Sequence, residues 1–501
     1  MKIEAVDVVQ MRNVPVPRRG KKKLPVPEQG FSTVVQITAS SQGGKRHVGL
    51  GEIRAMSFLT GETPIAAFNF ARRLGQALVG KVIPTDLDGE AATEASARIV
   101  TDATKEILGI SEEDALADTM RPAVRFGFDC AILDCIAREA GKSVTALLGG
   151  SNEPVRRNVF SRSYAKPSIL LNKLLRGNMP NGWLRGSYAK DGATLASVVG
   201  AIAAATSGRG DDLQGVWFDL NNRWKPQDAM MMLEGLEGTP VLKASGVKIL
   251  LEQPFHSYAT AWYKDLFARL DELEARDRVH IMIEDGLTSA EALDPMKSLM
   301  PHVDLKVTPQ KCGSLFGMMK MIERARELGF DGRIYLGNAG MNTELNSLML
   351  VSVAQILGGN LLFSADYKRE DGSKIRQVWP QVEADEIDRN ILRLPEGDGW
   401  AAQLCQSGLQ KRLRKCDFMR SSSVVPDVES LKTLLLMRAF DDSTLDVRQI
   451  EEDSDEEETD TFYEANLSDD ADTDGDPDTD EDVETDAEGD IETSSGDKTT
   501  A

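Results

Sequence analysis

The chain has 501 residues and a formal net charge of −22 at pH 7, and it is long enough for a barrel-sized domain with a smaller companion. Residues 451–501 carry 24 acidic residues and one basic residue, whereas residues 1–450 carry 57 basic and 56 acidic residues. The charge asymmetry therefore lies in one terminal segment, and the balanced remainder excludes a basic surface for nucleic acid. No run of about 18 apolar residues is present, so no transmembrane helix is expected. The five cysteines form no Cys-x-x-Cys pair, which fits a reducing cytoplasm.

The first 150 residues predict an α+β domain. Residues 1–10 and 31–38 have the apolar and β-branched content of strands, and a loop rich in Pro and Lys separates them. Apolar residues then recur at helical spacing from Val124 to Cys135, and Gly141 is expected to end that helix. The domain is predicted to end at Gly150.

From residue 151 to 417, short apolar runs alternate with amphipathic stretches, which is the pattern of parallel strands joined by crossover helices. Eight strands are predicted, at residues 155–160, 184–187, 216–218, 249–251, 281–283, 303–305, 334–336 and 361–363. This pattern predicts an α/β chain whose (β/α)8-type barrel is capped by the first domain. The alternative, an open doubly wound sheet, lacks its glycine fingerprint, because Arg54 stands where the third glycine belongs after Gly49 and Gly51.

Two segments follow the predicted barrel. Residues 418–450 are predicted to be a short helical extension with one helix at residues 428–440. Residues 451–501 consist mainly of Asp, Glu, Thr, Ser and Gly. A segment with so few apolar side chains cannot bury enough surface to offset its chain entropy, so it is predicted to be a disordered acidic tail.

Four successive predicted strands end in a charged residue. These residues are Asp219, Glu252, Glu284 and Lys306, and their spacing of 22 to 33 residues is about one strand–helix unit. The carboxyl ends of barrel strands converge on one mouth, where active sites lie. Three carboxylates would repel one another there, so a divalent cation is the expected neutraliser. Ligation by oxygen alone favours Mg²⁺ over zinc, and Mn²⁺ is the second candidate.

Longer motifs surround these residues. They are Gly49-Leu50-Gly51-Glu52, Thr60-Gly61-Glu62-Thr63, Phe128-Asp129-Cys130-Ala131-Ile132-Leu133-Asp134, Leu147-Leu148-Gly149-Gly150, Asp219-Leu220-Asn221, Glu252-Gln253-Pro254, Glu284-Asp285, and Lys306 followed by Pro309-Gln310-Lys311-Cys312-Gly313-Ser314. With these motifs, residues 1–400 resemble the enolase superfamily, in the branch with muconate-lactonizing enzyme, o-succinylbenzoate synthase, dipeptide epimerases and methylaspartate ammonia-lyase. The resemblance implies a Mg²⁺-dependent lyase or isomerase that removes the α-proton of a carboxylate substrate to form a metal-stabilised enediolate. Racemisation or epimerisation, β-elimination and cycloisomerisation all stay open.

The resemblance also assigns roles to the charged strand ends. It implies that Asp219, Glu252 and Glu284 are the metal ligands and that Lys306 is the general base on one face of the substrate. Relatives usually have Asp-Glu at the third ligand position, where this chain has Glu284-Asp285. Glu284 is preferred as the ligand because it holds the family's position and adjacent strand residues point to opposite sides.

A second base is expected on the other face of the substrate. Relatives carry a Lys-x-Lys motif at the end of the second strand, and residues 188–190 match it. Lys190 matches the catalytic lysine of that motif, while Tyr188 stands in place of the first lysine. Lys166 lies in a similar string, Ser163-Tyr164-Ala165-Lys166, and stays open as the alternative second base.

The histidines exclude one branch of the same fold. His280 and His302 precede predicted strands and so are expected at the end of the barrel opposite the mouth, and His47 and His256 lie outside the strand ends expected to carry a base. The His-Asp base of mandelate racemase and the acid-sugar dehydratases therefore has no candidate. The basic loop at residues 18–23 is expected to be solvated, with a clamp on an anionic substrate as the alternative.

Two classes of function remain. The first is the enzyme described above, acting in the cytoplasm on a small-molecule carboxylate, with no nucleic acid or membrane partner; a homo-oligomer is compatible with the sequence. The second is a catalytically inactive barrel that serves as an interaction scaffold, with the acidic tail binding basic partners. The intact set of three acids and one lysine favours the enzyme.

Overall fold

The computed structural model describes residues 1–12, 18–19, 22–23, 31–111, 120–151, 153–156, 159–161, 182–187, 191–206, 213–243, 247–337, 343–358, 360–361, 383–384, 391–401 and 418–422. The strands are β1 (Lys2–Arg12), β2 (Arg18–Arg19), β3 (Lys22–Lys23), β4 (Phe31–Ser40), β5 (Arg46–Ile53), β6 (Val155–Arg156), β7 (Val159–Ser161), β8 (Gly182–Ser187), β9 (Leu213–Asp219), β10 (Lys248–Glu252), β11 (Val279–Ile283), β12 (Asp304–Val307), β13 (Ile334–Leu336), β14 (Asn360–Leu361), β15 (Glu383–Ala384), β16 (Ile391–Arg393) and β17 (Phe418–Ser422). The helices are α1 (Ser57–Thr60), α2 (Pro64–Leu78), α3 (Gly89–Leu108), α4 (Pro122–Glu139), α5 (Val144–Leu147), α6 (Gly192–Thr206), α7 (Pro226–Leu236), α8 (Pro240–Lys243), α9 (Thr260–Glu272), α10 (Leu315–Glu327) and α11 (Glu344–Leu357).

The amino-terminal part is an antiparallel sheet packed against helices. Its strand order is β17-β1-β4-β5, and β1 pairs with β4 along nearly its whole length. Helix α2 begins where its sequence predicts a start: the Thr63 hydroxyl accepts a hydrogen bond from the amide of Ala66, and Pro64 occupies the first helical turn. Helix α4 is buried along almost its whole length, which is why its apolar residues cover all its sides.

Strand β5 crosses helix α4 at unusually short range. A Cβ atom added at Gly49 would lie 2.0 Å from the carbonyl oxygen of Ala131, and one added at Gly51 would lie 1.8 Å from that of Gly127. Both contacts are shorter than any real Cβ contact, so no larger residue fits either position. The Gly-Leu-Gly segment is therefore explained by the packing of a strand on a helix, and not by a phosphate-binding turn.

The second part is a single eight-stranded parallel sheet with the strand order β14-β13-β12-β11-β10-β9-β8-β7. Successive strands are hydrogen-bonded neighbours, and helices α6 to α11 lie between strands in the sequence. This order is that of a (β/α)8 barrel, so the predicted fold class is confirmed. The first predicted strand, residues 155–160, is divided in the structure: β6 pairs with β16 in a small antiparallel sheet, and only β7 joins the barrel.

A buried apolar layer fills the barrel below the strand ends. It is formed by Trp183, Trp217, Leu250, Met282 and Tyr335. Because strand side chains alternate, Asp219 on β9 and Glu252 on β10, each two positions beyond a residue of this layer, project to the same side as the layer, one step nearer the mouth. Glu284 is the first residue after β11, and its contact with Lys306 places its carboxylate above the same layer.

The carboxyl-terminal extension begins with a strand that the sequence analysis did not identify. Its first residues form β17, which pairs antiparallel with β1 at the edge of the amino-terminal sheet. The helix predicted at residues 428–440 and the acidic tail at 451–501 lie outside the described residues. Three of the five cysteines are described, and Cys130, Cys135 and Cys312 are buried free thiols. Within the described ranges, no helix combines the length and apolar character that a bilayer crossing requires.

Candidate active site

The strand register brings the predicted site residues to one end of the barrel. Glu252 on β10 is paired with Asp219 on β9. On the other side, Glu252 is paired with Met282 on β11, and Ile283 is paired with Leu305 on β12. One residue beyond that last pair, Glu284 and Lys306 are neighbours. The four residues predicted from strand ends therefore follow one another around the mouth.

Lys306 joins two of the carboxylates directly. Its ammonium group donates to Oε1 of Glu252 and to Oε2 of Glu284, the latter at 2.7 Å. The side chains of Lys306 and Glu252 are buried, so these ion pairs are shielded from solvent and are stronger than surface pairs of the same length. Asp219 is half-buried, and its Oδ1 accepts from the backbone amide of Asn221 at 3.2 Å.

A second buried lysine lies beside the first. The ammonium of Lys311 is 3.5 Å from Oε1 of Glu284, and that oxygen also accepts from the Thr308 hydroxyl at 3.1 Å. Burial acts to raise the pKa of Glu284, but the ammonium groups of Lys306 and Lys311 outweigh it and hold the pKa well below its usual range. Glu284 is therefore ionised across the ordinary pH range.

Gln253 positions the backbone that carries Glu284, and sequence reasoning missed this role. Its Oε1 accepts from the backbone amides of Glu284 at 2.8 Å and of Asp285 at 2.9 Å, and its amide nitrogen donates to the carbonyl of Phe255 at 2.7 Å. Its φ of 48° lies in the left-handed region, which is costly for a residue with a side chain. The Glu-Gln-Pro motif is thus explained: the glutamate enters the mouth, and the glutamine fixes the next strand's carboxylate.

Gly337, which follows β13, leaves room for the lysine. A Cβ atom at this position would lie 2.9 Å from Cε of Lys306 and 2.6 Å from Oγ1 of Thr308. No motif marked this glycine in the sequence, because its role depends on which side chain the neighbouring strand places beside it.

Gly337→Ala should therefore displace the side chains of Lys306 and Thr308. The lysine can move at its tip, whereas the buried threonine has little room, so some stability should be lost as well. A shift of about 1 Å at a reacting group costs roughly 100-fold in rate. We expect α-proton exchange, measured by NMR in D₂O, to fall by 10- to 100-fold. Circular dichroism melting should show a loss of about 1–3 kcal/mol, the usual cost of overpacking, with the fold retained. Normal exchange in this variant would mean that the position of Lys306 is not critical.

The strand-end carboxylates fit a divalent cation in their chemistry but not in their present arrangement. Among the described residues, no three His, Cys, Asp or Glu side chains are grouped so that they would hold a metal ion. Glu252 and Glu284 are turned toward Lys306, as given above. The donor set itself fits: three oxygen ligands stand on adjacent strands, two of them share one cationic partner, and oxygen donors are those that Mg²⁺ prefers. Asp219, Glu252 and Glu284 would therefore hold the cation, beside the lysine that Glu252 and Glu284 share.

Several predicted residues lie outside the described part of the chain. They include both candidates for the second base, Lys190 and Lys166, together with Tyr188. Strand β8 leads toward Lys190: its last residue, Ser187, is paired with Asp219. The histidines are all described, and His280 is the second residue of β11 rather than a residue before it. It still lies at the end of the strand away from the mouth.

Two buried carboxylates of the amino-terminal domain bind the starts of barrel helices. Glu52 accepts from the Thr343 hydroxyl and, at 3.1 Å, from the amide of Asn346 at the start of α11. Asp129 accepts at 2.8 Å from the amide of Leu315 at the start of α10. Both contacts satisfy amide groups that a helix leaves unpaired at its amino terminus. Glu52 and Asp129 of the first-domain motifs are therefore explained by the attachment of the cap to the barrel.

Glu62 binds a helix start within the cap, where it accepts from the amide of Ala123 at 2.8 Å. Burial raises the pKa of its carboxyl to about 7, despite that hydrogen bond. The unfolded chain releases this proton near pH 4.5 and the folded chain only near pH 7. Stability from this group is therefore complete at low pH and is lost as the pH rises through about 7.

Glu62→Gln should remove the loss of stability that accompanies ionisation of Glu62, because glutamine is neutral at every pH. By linkage, the free energy of unfolding of the variant, relative to that of the wild type, should rise by on the order of 3 kcal/mol when the pH is raised from 4 to 8. Urea unfolding at the two pH values measures the gain, with Glu153→Gln, an exposed glutamate, as the control. Parallel pH profiles for wild type and Glu62→Gln would contradict the assignment.

No family model matches the sequence, and no curated protein matches it in sequence. Solved structures match the fold. The dipeptide epimerase of Cytophaga hutchinsonii, complexed with Mg and the dipeptide D-Ala-L-Val, has a TM-score of 0.60 at 16% identity, covering 84% of this chain and 100% of the epimerase. The N-succinyl Arg/Lys racemase of Bacillus cereus has a TM-score of 0.60 at 18% identity, with coverage of 84% and 100%. A member of the enolase superfamily from Listeria innocua has a TM-score of 0.58 at 14% identity, with coverage of 84% and 99%.

At these identities the likeness establishes the fold. The chain has the fold of the enolase superfamily over its capping part and its barrel, as the sequence resemblance predicts.

Proposed function

We propose that this protein is a Mg²⁺-dependent lyase or isomerase that removes the α-proton of a small carboxylate substrate. The observation that carries the proposal is the contact of Lys306 with both Glu252 and Glu284 at the mouth of the barrel. This contact places a lysine beside the glutamates that would bind a cation. Removal of a proton next to a substrate's carboxylate needs this combination of a base and a cation. The matched epimerase and racemase support it as proteins of the same fold.

Lys306 is the proposed general base. Its Nζ would take the proton from the α-carbon, and the electron pair of the broken C–H bond would pass to the oxygens of the substrate carboxylate. Thr308 and Lys311 hold the far oxygen of Glu284, so the carboxylate keeps its position while Lys306 changes protonation state. Lys190 is the proposed base on the opposite face, with Lys166 as the alternative.

Asp219, Glu252 and Glu284 are the residues that would hold Mg²⁺, with Mn²⁺ as a substitute. When bound, the cation supplies Lewis-acid stabilisation of the charge that develops on the substrate carboxylate. The apolar floor of Trp217, Leu250 and neighbouring residues closes the barrel beneath the site and keeps the local dielectric low. A low dielectric strengthens every charge interaction within the mouth.

The test is a screen of carboxylic acids for exchange of the α-proton with solvent deuterium, because this step is shared by racemisation, elimination and cycloisomerisation. Proton NMR in D₂O should detect exchange with Mg²⁺ and none after removal of divalent cations. Calorimetry should find one divalent site in wild type, and Glu252→Gln should lose it or weaken it strongly. Exchange that persists without any divalent cation, or unchanged cation binding in Glu252→Gln, would refute the proposal.

A further inference from the structure

Lys311 lies in the mouth but takes no part in the proton transfer described above. Its side chain is 6% exposed, and its ammonium lies 3.5 Å from Oε1 of Glu284 and 3.4 Å from Oδ1 of Asp285. Burying an ammonium is costly unless it is well paired. The burial of Lys311 between two adjacent carboxylates therefore indicates that this lysine has a specific role.

The two carboxylates share Lys311 but differ in their other partners. Asp285 uses both of its oxygens: Oδ1 faces Lys311, and Oδ2 accepts from the side-chain amide of Asn222 at 2.5 Å. Glu284 uses Oε1 for Thr308 and Lys311, and its Oε2 accepts from Lys306. Asp285, whose side chain is 44% exposed, thus stays at the rim, whereas Glu284 directs one oxygen to the proposed base.

Strand geometry alone does not impose this difference. Strand β11 ends at Ile283, so the alternation of side chains no longer dictates where residues 284 and 285 point. The backbone amides of both residues donate to Oε1 of Gln253, so this contact does not distinguish the two side chains. Lys311, by contrast, faces the side chains: it lies beside Oδ1 of Asp285 and Oε1 of Glu284, which leaves Oε2 of Glu284 to Lys306.

We propose that Lys311 is a positioning residue that selects Glu284, rather than Asp285, as the third carboxylate of the cation site. It retains Asp285 at the rim and holds one oxygen of Glu284, so that the other oxygen faces the mouth. The inference rests on the proposed function, because it presupposes a divalent cation at these strand ends. It concerns the cation site and is tested without substrate.

Two effects of removing Lys311 have opposite signs. Loss of a nearby positive charge would by itself tighten cation binding, whereas loss of an outer partner that orients a ligand typically weakens it by about 10- to 100-fold. A positioning role requires that the second effect dominate. The sign of the change in affinity therefore separates positioning from simple electrostatics.

The experiment measures Mg²⁺ affinity by calorimetry and Mn²⁺ coordination by electron paramagnetic resonance. Lys311→Met should bind 10- to 100-fold more weakly than wild type, and Lys311→Arg, which keeps a cation able to reach both carboxylates, should recover most of the affinity. Asp285→Asn should bind like wild type, and the double variant Lys311→Met with Asp285→Asn should regain affinity because the competing carboxylate is gone. Lys320→Met, on the exposed side of α10, is the control for loss of a lysine charge.

Equal or tighter binding by Lys311→Met would overturn the inference, as would a loss in Asp285→Asn as large as that in Glu284→Gln. The comparison of these last two variants does not depend on whether the Lys311 variants fold. Absence of divalent binding in the wild type would refute the proposed function itself. Normal binding in wild type with no effect of Lys311 would refute the positioning role alone.

Discussion

Lys306→Met should abolish α-proton exchange while the Mg²⁺-loaded protein stays folded. General acid–base catalysis contributes roughly 100- to 10,000-fold, and methionine has a similar length but no basic nitrogen. NMR in D₂O measures the exchange, with the exposed Lys297→Met as the matched control. Exchange at the wild-type rate in Lys306→Met would mean that another residue is the base.

The same variant should be unstable without divalent cations. Lys306 is the shared partner of Glu252 and Glu284, and its removal leaves two neighbouring carboxylates facing each other in a buried site. Breaking a buried ion pair by removing one partner costs about 3–5 kcal/mol. Urea unfolding should therefore show a large loss in chelator and a much smaller loss in saturating Mg²⁺. An equal loss in both conditions would contradict the assignment of these carboxylates to a cation.

Gly51→Ala should destabilise the protein severely. The new methyl group would lie 1.8 Å from the carbonyl oxygen of Gly127 and 2.9 Å from its carbonyl carbon, and backbone atoms of a buried helix cannot move aside as a side chain can. Overpacking usually costs about 1–3 kcal/mol and sometimes more. We expect the upper end of this range or failure to fold, as measured by urea unfolding.

Gly200→Ala is the matched control for this prediction. Gly200 lies within α6, and an added Cβ would meet no atom within 4 Å. Alanine favours a helix over glycine by about 1 kcal/mol, so this variant should be slightly more stable than wild type. Equal stability of the two alanine variants would mean that the close crossing of β5 and α4 is not required.

The order of the barrel strands was predictable because it follows from local pattern. Each strand is a short apolar run with its own turn signals, and in a (β/α)8 barrel neighbours in sequence are neighbours in space. The charged ends at Asp219, Glu252, Glu284 and Lys306 could be found for the same reason, since a charge at the end of an apolar run is visible in one dimension. The structure brings the last three of these into contact.

The partners of those residues could not be found in this way. Gln253 acts on Glu284 from the preceding strand's end, Gly337 matters because Lys306 lies beside it, and Lys311 matters because two carboxylates face it. Each role depends on register and on side-chain direction beyond the strand ends. Neither is encoded by residue type or local periodicity.

The sequence by itself determined the barrel class of the fold and the charged residues at the strand ends, because these depend on patterns within about ten residues. Only the tertiary structure decided that one predicted strand is divided between β6 and β7, which belong to different sheets, and that residues 418–422 pair with β1. It also decided that the first-domain acids Glu52 and Asp129 hold barrel helices. The physical reason is the same in each case: these contacts join segments far apart in the chain, and their free energy outweighs local preference.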